Sequence, residues 1–70
     1  MESNIREFNV FITTQNDKIF IGNIFTTTPQ QAKMKALALN STKHIIKSLI
    51  EDRTDYSVVA ELSDTRSVFK

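Results

Sequence analysis

The sequence contains no cysteine. Disulfide staples and thiolate metal sites are therefore excluded, and with them the usual framework of small secreted domains. There is one glycine, so no glycine-rich phosphate-binding loop can form. No apolar run approaches the roughly 20 residues that a bilayer-spanning helix needs. Residues 1–7 mix charges of both signs and lack the apolar core of a signal peptide, so a cytoplasmic setting is expected, with no membrane partner. Acids are missing from one long stretch: between Pro29 and Ile50 stand Lys33, Lys35, Lys43, Lys47 and the single histidine, His44, and no aspartate or glutamate. The five remaining lysines and arginines share the rest of the chain with all eight acids, a balance of −3. A formal net charge of +1 thus hides a basic segment inside an acidic frame.

What is present fits one domain over residues 1–70. A hydrophobic fraction of 40% is enough to fold. A chain this small buries only about 60% of its unfolded surface, which leaves little room for an enclosed substrate pocket beside the core.

Residues 1–5 read as a frayed polar lead. Residues 7–14 alternate, with Phe8, Val10 and Ile12 on one face and Asn9, Phe11 and Thr13 on the other, which predicts a strand. Residues 15–18, Gln-Asn-Asp-Lys, suit a turn. Residues 18–27 predict a second strand, with Ile19, Ile21, Asn23 and Phe25 on one face and Phe20, Gly22, Ile24 and Thr26 on the other. The mid-strand Gly22 points to a bulge or to close approach of another element.

Thr28-Pro29-Gln30-Gln31 announces a helix. Thr28 can accept from the N–H of Gln31, Gln31 can reach back in a capping box, and Pro29 suits the first helical position. No proline or glycine interrupts the segment before Ile50. Its apolar stripe changes phase, from Ala32, Ala36 and Leu39 to Ile45, Ile46, Leu49 and Ile50, by roughly 50–70°. Asn40, Ser41 and Thr42 between the halves are poor helix formers. One long helix bent near Asn40 is expected, with two shorter helices as the alternative. Arg53 is placed to cap its acidic C-terminal end at Glu51 and Asp52. Residues 56–62 predict a third strand, and Ser67-Val68-Phe69 a short fourth strand or a tail folded over the sheet. The fold class is α+β: a β-β-α-β domain whose antiparallel sheet has order 2-1-3, with the helix across one face.

No catalytic constellation is visible. His44 stands among lysines and aliphatics, and Asn40 and Ser48, four residues to either side, are not acidic, so it reads as a solvated histidine rather than a base. Glu51, Asp52 and Asp55 lack the glycine and distal glutamate of a calcium loop. No enzyme activity, metal or cofactor is expected. The candidate binding surface is the basic helix and its exit: Lys33, Lys35, Asn40, Lys43, His44, Lys47 and Arg53. On an unbroken helix Lys33, Asn40, His44 and Lys47 share one narrow sector. A sheet covered on one side also leaves apolar residues on the other, so Phe11, Phe25 and Phe69 form a second candidate interface.

The order hairpin, long helix, final strand resembles the small antitoxin and host-takeover proteins of T-even-type phages, among them the Dmd-type antitoxins. The local likeness lies in Ile45-Ile46-Lys47-Ser48-Leu49-Ile50-Glu51-Asp52 running into Val58-Val59-Ala60-Glu61. The resemblance implies a non-enzymatic inhibitor that binds a host toxin, often a ribonuclease, in the host cytoplasm. It transfers no individual site residue. The leading expectation is a small binding protein that inhibits or sequesters a macromolecular partner, most simply a protein. Direct RNA or DNA binding through the basic helix and a structural homo-oligomer are the alternatives.

Overall fold

The computed structural model describes residues 5–63. The expected frayed lead, apart from Ile5, and the Ser67-Val68-Phe69 strand or tail lie outside these residues, as does the candidate interface residue Phe69. Three strands and two helices follow in the order β1 (Arg6–Thr13), β2 (Lys18–Thr26), α1 (Pro29–Leu37), α2 (Asn40–Glu51) and β3 (Ser57–Leu62). The sheet has order β2-β1-β3 with both pairings antiparallel, as the alternation predicts.

β1 is central, and its period of two decides the two faces. Phe8, Val10 and Ile12 are 4%, 0% and 0% exposed and form the covered side. Ala32 and Ala36, both fully buried, bring α1 onto that side, joined by Ile21, Ile24, Val58 and Ala60. Two alanines four residues apart let the helix backbone approach the strands closely. In the β1–β2 turn the Thr14 hydroxyl accepts from the backbone N–H groups of Asn16 (3.3 Å) and Asp17 (3.0 Å), while the Thr14 N–H donates to the Asp17 carbonyl.

β2 departs from simple alternation. Val10 pairs with Gly22 but Phe11 pairs with Phe20, so Ile21 is an extra residue, a β-bulge. The bulge reverses the faces of the first half of the strand relative to the second. Phe20 and Phe25, expected on opposite faces, both lie on the side left uncovered by the described residues, opposite Phe11 and Glu7. Gly22 also meets a close neighbour: a Cβ there would stand 3.5 Å from Leu39 Cδ1.

The single long helix is not formed. α1 ends at Leu37, and Leu39 is extended (φ −73°, ψ 141°) before α2 starts at Asn40. The change in stripe phase is resolved by a break two residues ahead of the expected bend. Asn40, Ser41 and Thr42 become the first turn of α2, with Leu39 rather than one of them at the N-cap. At the start of α1, Thr28 Oγ1 accepts from the Gln31 N–H at 3.2 Å, as expected. The other half of the capping box is replaced: Gln31 Oε1 accepts from the hydroxyls of Thr26 (2.8 Å) and Thr27 (3.1 Å).

α2 ends in a Schellman motif. The Arg53 N–H donates to the Ile50 carbonyl (3.0 Å) and the Thr54 N–H to the Leu49 carbonyl (2.9 Å), with Arg53 in the left-handed region at φ 58°. Arg53 therefore closes the helix through its backbone, where a side-chain cap was expected. No helix among the described residues is long and apolar enough to cross a membrane.

Candidate functional site

The break at Leu39 divides the predicted basic row in two. Lys33, half-buried, and Lys35, exposed, belong to α1. Asn40, Lys43, His44 and Lys47 are all exposed on α2, where one unbroken helix keeps Asn40, His44 and Lys47 in phase with Lys43 alongside. Arg53 does not join them. It lines a polar cleft of about 390 Å³ with Thr14, Gln15, Asn16, Thr54 and Asp55, between the hairpin turn and the loop into β3.

Among the described residues one ion pair forms, Lys18 Nζ to Glu61 Oε2 at 2.7 Å, and it lies on the sheet. No helix lysine has a carboxylate within 4.0 Å there. Glu51 follows Lys47 by four residues, yet no bond closes between them; a lysine preceding its glutamate is the weaker order for such pairs. Glu7 accepts from Asn23 Nδ2 at 2.8 Å, and Glu61 is held by Lys18. Two strand carboxylates are thus engaged on the uncovered sheet face, away from the helix cations.

α2 is charged against its own stability. Its first turn has no acid and its last turn no base. Lys43 stands near its N-terminus and Glu51 and Asp52 at its C-terminal end, the reverse of what the macrodipole favours. Leu39 at the N-cap offers no side-chain acceptor, and Lys43 and Lys47 repel at i,i+4. Each effect costs a few tenths to about 1 kcal/mol.

The uncovered face holds the second candidate interface. Phe11 is half-buried, its ring 5.6 Å from that of Phe20 at 63°, edge to face. Lys18 Nζ stands 4.5 Å above the Phe11 ring. Phe25 is 60% exposed and Phe20 56%. Asn23 Nδ2 also donates to Asn9 Oδ1 at 2.7 Å. Phe11 and Phe25 share this face, and Phe20 joins them there, a placement that strict alternation missed. The isolated glycine in β2 was the available signal.

No family model matches the chain, and neither a curated protein nor a solved structure matches it.

Proposed function

We propose that this chain is a non-enzymatic binding module that inhibits or sequesters an acidic macromolecular partner through α2, with Lys43, His44 and Lys47 as the docking row and Lys33 and Lys35 of α1 as flanking cations. The observation that carries the reading is the charge pattern of α2: Lys43 and Lys47, exposed and unpaired among the described residues, on a helix that they destabilise, with His44 exposed beside them. Unpaired surface cations keep their full attraction for an incoming anion, and a cluster of them raises both association rate and specificity. The narrower form of the proposal, suggested by the likeness of the α2 exit to phage antitoxins, makes the partner a ribonuclease toxin in the host cytoplasm.

The second reading is direct binding of RNA or DNA by the same row, favoured by the absence of acids from the whole segment 29–50. One experiment separates the two. Tagged chain is used to capture partners from host lysate, with and without nuclease, beside a Lys43→Glu/Lys47→Glu double variant. A nuclease-resistant protein retained by the native chain and lost by the variant is the expected result. Equal capture by both forms defeats the proposal; nuclease-sensitive capture shifts it to nucleic acid.

A further inference from the structure

We infer that β2 is the seat of a two-fold dimer, in which the free edge of β2 pairs antiparallel with the same edge of a second copy. Both outer strands of the sheet have an open edge among the described residues, but they differ. β3 is six residues long, and its one charge, Glu61, is engaged by Lys18. β2 is nine residues, about 30 Å, without proline. Its single charge, Lys18, is already bound to Glu61 of its own copy. Long, apolar, unguarded edges are the ones that recruit another strand.

The strand is also self-complementary. A two-fold axis perpendicular to the sheet, passing at Asn23, sets Asn23 opposite its own copy and Gly22 opposite the second copy's Ile24 on the covered face. With Ile21 the extra residue, Phe20 then stands opposite the second copy's Phe25 and the reverse, both on the other face. Phe20 and Phe25 are five residues apart, and only the bulge at Ile21 puts them on one face. Charge is complementary by absence: Lys18 falls beyond the second copy's strand end, so no like charges meet. At 56% and 60% exposure, and with about 200 Å² per ring, the four phenylalanines offer about 460 Å² in all. Pairing of the edges covers the flanks of these rings and leaves their outward surface open, so they supply less than a third of the roughly 1,200 Å² at which stable interfaces begin; the rest falls to the nine-residue ladder, and the dimer is expected to be weak. The axis keeps both helical layers on the same side of a six-stranded sheet. If α2 is the docking surface proposed above, the dimer presents two such rows side by side; the pairing itself does not rest on that reading.

Sedimentation equilibrium of the full chain up to about 1 mM tests the inference. The expected result is a monomer–dimer equilibrium that Phe20→Lys/Phe25→Lys weakens at least tenfold or so, with an unchanged circular dichroism spectrum. Both side chains are exposed, so the double variant should fold. Cysteine scanning on this cysteine-free background gives an independent reading. Asn23→Cys, at the axis, should cross-link between copies far faster than Ser57→Cys on β3. A monomer at every concentration, or a dimer indifferent to both phenylalanine substitutions and cross-linked equally at 23 and 57, overturns the inference. Retention of the dimer in Lys43→Glu/Lys47→Glu is expected, which keeps its fate distinct from that of partner binding.

Discussion

Replacing Thr42 by valine should stabilise this protein. Thr42 is the third residue of α2 and is fully buried, yet its Oγ1 has no hydrogen-bond partner among the described residues. A buried hydroxyl without a partner forfeits its hydration for nothing, a penalty of about 1–3 kcal/mol. Valine has the same shape, ranks beside threonine in helix propensity, and puts a methyl where the hydroxyl stood. The expected gain is about 1–2 kcal/mol, the lower part of that range because a methyl fits the site less closely than a hydroxyl. For a domain of this size the midpoint of thermal unfolding should rise by about 5–10 °C. Thr42→Ser is the control: it keeps the hydroxyl, removes a buried methyl, and should lose about 1 kcal/mol. Urea unfolding at constant m-value measures both. A Thr42→Val chain less stable than the native one would show that the hydroxyl is satisfied and that the reasoning about α2 packing is wrong.

Three further outcomes follow from the same geometry. Arg53→Gly should raise stability by about 0.5–1 kcal/mol in a denaturant melt, because glycine occupies the left-handed C′ position without the strain an L side chain carries. Gly22→Ala should be neutral or stabilising by up to about 1 kcal/mol: its φ is not positive and the added Cβ would meet Leu39 Cδ1 at an ordinary 3.5 Å, so a large loss on calorimetry would mean that the bulge needs glycine. Lys43→Glu alone should stabilise α2 by about 0.5–1 kcal/mol, by placing an acid near its N-terminus and a glutamate four residues before Lys47, while weakening partner binding; thermal melts and binding assays on one preparation show whether the two effects part in this way.

The sheet was legible in the chain because β1 alternates cleanly, and Phe8, Val10 and Ile12 leave one choice of covered face. Strand order followed from the preference for antiparallel neighbours in a small sheet. The faces of β2 were not legible, since a bulge is a tertiary event that alternation does not record, and Gly22 marked its vicinity without giving its residue. The helix break was half visible. The phase change between Ala36 and Ile45 signalled it, but Leu39 leaves the helix, with its side chain over Gly22, a contact that no local propensity encodes. Of the candidate site, the basic composition of 29–50 was readable at once. Its division into an α1 pair and an α2 row was not, because helical phase was carried across residues that are not helical. Arg53 was singled out for its charge, whereas its backbone closes α2 and its side chain borders the cleft with Asp55.

The most direct test of the docking row is the salt dependence of polyanion binding by the native chain and by Lys43→Glu/Lys47→Glu, with a poly-glutamate and a single-stranded RNA of equal length as probes. The row predicts an affinity for at least one probe that falls linearly on logarithmic axes as salt rises. The double variant should lose about 1.4 from the RNA slope, about 0.7 for each cation removed. A flat salt response in the native chain, or identical slopes for the two proteins, would mean that the lysines of α2 are only its solvated face.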